Sequence, residues 1–466
     1  MNNNDPLKGY TGLLKKKLEQ LKIKIWNRIK IISDKDKYEG ILLPRSDFDA
    51  PNYYYLKMDS GYNVGVEYDQ NQKIEVLGYQ EGKYKLPEKE IQFDEKKPNI
   101  SLLATGGTIA SRLDYRTGAV LPAFTPAELF TAVPELEDIC NLDTKIVFEL
   151  LSEDMTSEKW QNLGKEVAYQ INNKKVDGVV IAHGTDTMAF TGTALSLMLK
   201  DLSVPVVMVG SQRSSDRPSS DAAMNLIHAV NIAVKSDIAE VLLCMSGSSN
   251  HKFGYIHRPG LVRKMHSSRR DAFKTIGNIP FGKIEKEKIT IFSKNYNKRK
   301  KGSKYQVKLD DKFDSKVGLI YHYPGIKADV IENFIDNDYH GIVIAGTGLG
   351  HISKNLLKSC KTAIDNNIAI IMTVQTLWGF TGLGVYERGR EITNIGIIQG
   401  QNMLPETAYV KLSWVLGHTR DLNEVKFLMT KNIAGEILNR ETFKGFLVFQ
   451  GTESWINEIL TKNRKI

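Results

Sequence analysis

Two short turns rich in glycine and threonine carry the residues best suited to chemistry. Thr105-Gly106-Gly107-Thr108 follows the apolar run Leu102-Leu103-Ala104, and His183-Gly184-Thr185-Asp186-Thr187 follows Val179-Val180-Ile181-Ala182. Each turn puts a hydroxyl at the end of a buried strand. Gly106, Gly107 and Gly184 let a ligand approach the backbone closely. A threonine hydroxyl is a weak nucleophile at neutral pH, so it needs a neighbouring base and donors for the oxyanion it creates. Asp186, beside Thr185, and a lysine delivered from a later loop would meet that need. The chemistry suggested is nucleophilic attack on an acyl group, with Thr108 and Thr185 as candidate nucleophiles. The same turns also suit a helix N-cap or a phosphate-binding loop, and spacing alone leaves those readings open.

For both hydroxyls to face one ligand, their strands must lie in one open parallel sheet, because ligands there bind outside the carboxyl ends of the strands. Short β-branched runs at 100–104, 178–182, 204–209 and 241–245 read as buried strands, and 157–170 and 222–234 have helical spacing. A second unit repeats this texture, with strands at 317–321, 341–345 and 368–373 and a helix at 328–335. Residues 422–429 and 455–460 read as helices. The first 95 residues instead alternate in short segments between turn residues, which predicts a small β-barrel of about five strands. The lysine-rich piece 283–308 shows little apolar pattern and reads as a linker. The expected fold is α/β: a two-domain parallel-sheet body behind a small N-terminal barrel. Its boundaries fall at 1–95, 96–310, 311–420 and a helical tail over 421–466.

Composition excludes several classes. A chain of 466 residues exceeds one hydrophobic core, and 41% hydrophobic with 25% charged residues reads as globular. Cys140, Cys244 and Cys360 lack ligand or disulfide spacing, which argues against a structural zinc and for a reducing cytoplasm. No apolar run reaches the length of a membrane helix. The net charge of +9 concentrates in Lys15-Lys16-Lys17 and Lys298-Arg299-Lys300-Lys301, runs that read as solvated surface. Gly346-Thr347-Gly348-Leu349-Gly350 has G-x-G-x-G spacing, which does not match the dinucleotide fingerprint. His183 stands without a second metal ligand at helical spacing, so no metal site is expected.

Taken together, 104–110 and 183–187 resemble the two signature motifs of the L-asparaginase/glutaminase amidohydrolases, in the same order. Val209-Gly210-Ser211-Gln212-Arg213 and the run from Asp221 to Leu226 resemble the segment that follows the second motif. The resemblance implies an asparaginase-like body, with Thr108 as first threonine and Tyr115 as the lid tyrosine that supports it. It implies Thr185 and Asp186 as the second threonine and its aspartate, and Lys264 as the lysine bonded to that threonine. Ser152 and Glu153 would hold the substrate's α-carboxylate and α-amino groups, and Gly107 and Gly184 would line the substrate.

A stretch of about 95 residues ahead of the first motif is absent from simple asparaginases. Its sequence over 35–45 and 59–65, with 262–273 and 432–437, resembles the D subunits of archaeal glutamyl-tRNA(Gln) amidotransferases, whose leading module is a small SH3-like barrel. That resemblance implies hydrolysis of glutamine to glutamate and ammonia. The ammonia would pass to a partner, the amidotransferase E subunit, which uses ATP and Mg²⁺ to amidate glutamyl-tRNA(Gln). This chain would bind no cofactor itself, would meet the tRNA mainly through the partner, and would form a homodimer core within a heterotetramer. A stand-alone cytoplasmic L-asparaginase and a non-hydrolytic tRNA- or nucleotide-binding protein are the competing readings.

Overall fold

Alternating side chains build the first sheet. The computed structural model describes residues 6–7, 9–33, 36–45, 51–58, 63–79, 93–106, 111–113, 120–122, 133, 135–213, 220–250, 252–300 and 306–446. A helix, α1 (Gly12–Gln20), precedes β1 (Asn27–Ile32), β2 (Lys37–Leu42), β3 (Tyr53–Lys57), β4 (Asn63–Glu67) and β5 (Lys73–Tyr79). These strands form one antiparallel sheet of order β4-β3-β2-β1-β5, bulged between Arg28 and Ile29. Ile29, Ile31, Leu42, Tyr54, Leu56 and Val66 turn inward onto Leu14 and Leu18 of α1, giving this unit its own core. Its five short antiparallel strands are consistent with the small N-terminal β module expected from the sequence, with β4 and β5 at the two ends of the strand order.

The second unit starts with β6 (Asn99–Gly106), a hairpin of β7 (Ser111–Leu113) and β8 (Val120–Pro122), α2 (Glu135–Ile139) and β9 (Asn141–Leu150). Next come α3 (Ser157–Asn172), β10 (Gly178–Ala182), α4 (Met188–Met198), β11 (Leu199–Lys200), β12 (Val206–Val209), α5 (Ala222–Lys235) and β13 (Val241–Ser246). After these run β14 (Gly254–His257), β15 (Val262–Lys264), β16 (Phe273–Thr275), β17 (Gly282–Glu285) and β18 (Lys288–Ile291). The main sheet has the order β18-β17-β14-β13-β12-β10-β6-β9, while β15 and β16 pair apart from it. Pairing is parallel from β9 to β13 and antiparallel from β13 outward to β18, so the sheet is mixed where the sequence suggests a parallel one.

The period of two in the strands explains the double burial. Leu103, Val179, Ile181, Val206 and Met208 face α3 and α4, whereas Leu102, Val180, Ala182, Val207 and Val209 face α5. Thr156 caps α3 by accepting a hydrogen bond from the Lys159 N–H, a donor the helix itself leaves unpaired.

The expected linker at 283–308 is a correction. Residues 282–291 form the β17–β18 hairpin, which extends the sheet edge, and β19 (Lys308–Leu309) pairs with β11. Ile284, Ile289 and Ile291 pack inward while the lysines point out.

The third unit is a parallel sheet of β20 (Val317–Tyr321), β21 (Gly341–Gly346), β22 (Ala369–Val374) and β23 (Ile398–Gln399). Helices α6 (Asp329–Asp336), α7 (Leu357–Asp365) and α8 (Glu387–Asn394) accompany it. Helix α9 (Pro405–Leu416) is buried along almost its whole length. Its Ala408, Val410, Leu412 and Val415 belong to one core with Ala194 and Leu195 of α4 and Val343 and Ile371 of the third sheet, which joins the two α/β units. Helix α10 (Leu422–Thr430) starts on Asp421, whose carboxylate accepts the Glu424 N–H at 2.8 Å. The helix read at 455–460 lies outside the described residues.

Candidate active site

Strands β6 and β10 run parallel and adjacent, with Ala104 opposite Ala182, so the two turns emerge side by side as a shared crevice requires. The Thr105 hydroxyl donates to the Ala182 carbonyl at 3.1 Å and ties the strand ends together. Gly106 sits at φ +96, and a Cβ there would come within 2.2 Å of the Leu150 carbonyl oxygen, so only glycine fits. Gly107, Thr108 and Tyr115 lie outside the described residues.

The second turn is fully built. Thr185 is buried, between the end of β10 and the start of α4. Lys264, the last residue of β15, donates from Nζ to Thr185 Oγ1 at 2.9 Å and to Asp186 Oδ1 at 2.9 Å. The Lys264 side chain is 13% exposed, while that of Asp186 is 67% exposed. One amine thus bridges a buried hydroxyl and a solvated carboxylate, an arrangement that can hold or move the hydroxyl proton.

Ser152 opens a short 3-10 turn (Ser152–Asp154) just after β9 and is buried, whereas Glu153 is exposed. The Thr187 hydroxyl donates to the Ser152 carbonyl at 2.6 Å, and a Cβ on Gly184 would lie 2.6 Å from Ser152 Cβ. The Ser152 turn and the Thr185 turn are therefore one packed unit. Gly210, after β12, leaves room on the other flank: a Cβ there would meet Thr185 Cγ2 at 2.9 Å. Asp221 holds that flank by accepting the Gln212 and Arg213 N–H groups at 2.9–3.0 Å.

His183 is fully buried, with Nδ1 2.7 Å from the Gly184 carbonyl oxygen. Burial lowers its pKa to about 4, so at neutral pH it is an uncharged structural ring. Among the described residues no group of three His, Cys, Asp or Glu side chains could hold a metal ion, and no helix is long and apolar enough to cross a membrane.

Sequence reasoning missed a cavity of about 470 Å³ between the two α/β units, lined by Thr185, Asp186, Lys264, Arg263, Tyr321 and Glu406 among others. Arg263 contacts Glu406 at 3.4 Å and the Tyr321 hydroxyl at 3.5 Å. Burial pushes the Glu406 carboxyl pKa up against the opposing pull of Arg263. Ser152 and Gly184 do not line this cavity. Its walls come from α4, β15, β16, β20 and α9, elements spread across the sequence, so no local motif signals it.

Fold and site together define an asparaginase-type amidohydrolase body. The family model "Asparaginase, N-terminal" matches residues 99–297, "Glutaminase/Asparaginase C-terminal domain" matches 316–429, and "GatD N-terminal domain" matches 23–77. A thermostable L-asparaginase from Thermococcus kodakarensis superposes with TM-score 0.65 at 30% identity, covering 73% of this chain and 99% of that one. A probable cytoplasmic L-asparaginase from Campylobacter jejuni gives TM-score 0.60 at 28% identity, covering 72% of this chain and all of its own length. Matching extends further in the glutamyl-tRNA(Gln) amidotransferase D subunit of Methanobrevibacter smithii, 48% identical over 94% of this chain and 99% of that protein. The D subunit of Pyrococcus furiosus is 48% identical over 90% and 96%. The chain belongs to the family of glutamyl-tRNA(Gln) amidotransferase D subunits.

Proposed function

We propose that this chain is the glutamine-hydrolysing subunit of a tRNA-dependent amidotransferase. The observation that carries the hydrolytic reading is the Lys264 amine at 2.9 Å from both Thr185 Oγ1 and Asp186 Oδ1, beside the packed Ser152 and Gly184 turn. A threonine Oγ attacks the side-chain amide carbon of glutamine, its proton passes through the Lys264 relay, and the C–N bond breaks as the nitrogen takes up a proton and leaves as ammonia. Water then cleaves the acyl ester to give glutamate and regenerates the hydroxyl. Thr185, Lys264 and Asp186 carry the proton transfers; by family resemblance Thr108 is the first threonine and Tyr115 the tyrosine that supports it. Buried Ser152, with Glu153 and the backbone of Gly107 and Gly184, receives the amino-acid end of the substrate.

The amidotransferase half rests on the leading antiparallel unit, where the GatD N-terminal domain matches residues 23–77, and on the D-subunit relatives that cover 94% of this chain against 73% for the asparaginase structure. In this reading ammonia passes under cover to a partner of the E type, because free ammonia protonates at neutral pH and loses its nucleophilicity. That partner binds ATP, Mg²⁺ and glutamyl-tRNA(Gln). This chain contributes a homodimeric core to a cytoplasmic heterotetramer and needs no cofactor of its own. The test is glutamine hydrolysis by wild-type and Thr185→Ala protein in complex with the partner. Hydrolysis that survived the substitution would remove the catalytic assignment.

A further inference from the structure

The segment that follows α10, residues 431–446, lies beyond the matched asparaginase body, which ends at residue 429. It nevertheless packs against the piece of chain that delivers Lys264. The side chain of Glu436 is 2% exposed and accepts the N–H of Ala434 at 2.7 Å and that of Ile433 at 3.2 Å. Lys411, on the fully buried face of α9, donates to the other Glu436 oxygen at 2.6 Å and to the Lys431 carbonyl at 2.5 Å. A buried carboxylate thereby folds 431–436 into a tight loop and pins it to the central helix.

That loop presses on the short turn Pro259–Leu261. A Cβ on Gly260 would lie 2.7 Å from Glu436 Cβ, and one on Gly435, at φ +82, would lie 2.8 Å from Arg258 Cδ. The Gly260 carbonyl also accepts the Thr407 hydroxyl of α9 at 2.9 Å. Directly after this turn comes β15, only three residues long, ending in Lys264. β16 holds this short strand along one side, and the Pro259–Leu261 turn fixes its leading end, so the height of the Lys264 amine over Thr185 depends on both.

We propose that Glu436 is a positioning residue of the amide-hydrolysing site: by ordering the 431–436 loop it fixes the Pro259–Leu261 turn and hence the reach of Lys264 to Thr185. The inference rests on the glutaminase reading above. Breaking the buried pair from one side would strand a charge and could unfold the chain, so the test removes both charges together. Lys411→Met with Glu436→Gln keeps an oxygen for the Ile433 and Ala434 amides, whereas Lys411→Met with Glu436→Met does not.

Glutamine hydrolysis is measured for both double variants and wild type in complex with the partner, together with the thermal unfolding midpoint of each. The expected result is similar midpoints, a Gln variant within about threefold of wild-type kcat, and a Met variant lower by roughly ten- to hundredfold with KM little changed. Equal kcat per folded molecule in the two double variants, or a Met variant whose loss follows its unfolding midpoint, overturns the inference and leaves the glutaminase reading standing. A wild-type complex that hydrolyses no glutamine overturns both.

Discussion

Two lysines in this chain make two bonds each and should respond oppositely to replacement by methionine. Lys264 bonds a buried hydroxyl and the solvated Asp186. When Lys264→Met removes the amine, Asp186 simply returns to water, and the ion pair contributes about 1 kcal/mol or less to folding. Thr185 loses its only described proton path, which predicts a kcat lower by about 10²- to 10⁴-fold, or roughly 3 to 5 kcal/mol of barrier. Lys411 is completely buried against a Glu436 side chain that is 2% exposed. Lys411→Met leaves that carboxylate buried and unpaired and costs about 3 to 5 kcal/mol of stability. The assays are glutamine turnover of the assembled enzyme and urea unfolding of each variant. A Lys264→Met protein that retained a tenth of wild-type turnover, or that lost more stability than Lys411→Met, would refute the reasoning.

Further outcomes follow from the same contacts. Gly184→Ala drives a methyl to 2.6 Å from Ser152 Cβ, so KM for glutamine should rise at least tenfold in steady-state kinetics while the protein stays folded. Gly106→Ala adds both a positive-φ penalty and a 2.2 Å clash with the Leu150 carbonyl, and should lower the unfolding midpoint by several degrees in a thermal melt. Burial lowers the His183 pKa to about 4 and that of His257 to about 3, below the usual value of 6.5. Both rings fold uncharged and take up protons on unfolding, so their contribution is complete above pH 6.5 and is lost as pH falls towards 4 and 3. His183 alone accounts for about 3 kcal/mol of that change. Urea unfolding at pH 7 and pH 5 should show the decline, and His183→Asn should flatten it.

Sequence pattern reached the body of the fold because its strands are short β-branched runs buried on both faces, a signal solvent does not dilute. The strands at 178–182 and 317–321 coincide with β10 and β20, and helices at 157–170 and 222–234 extend only slightly further in α3 and α5. Pattern failed at 283–308 because only alternate residues of β17 and β18 face inward, and those between them include outward lysines. At the site, the bond from Lys264 to the Thr185 turn followed from resemblance and is seen in atomic detail. The cavity with Arg263, Tyr321 and Glu406 was illegible because its lining converges from elements scattered between residues 185 and 406. The loop held by Glu436 was visible only as a string; its contact with Gly260 depends on packing across about 175 residues of chain, a separation beyond any local pattern.

The most direct test of the central claim is the rate of glutamine hydrolysis by the assembled enzyme, compared with and without glutamyl-tRNA(Gln), beside asparagine hydrolysis by the chain alone. The account predicts glutamine hydrolysis that rises when the charged tRNA is added and little asparagine turnover by the isolated chain. Rapid asparagine hydrolysis by the chain alone, with no response of glutamine hydrolysis to tRNA, would contradict it.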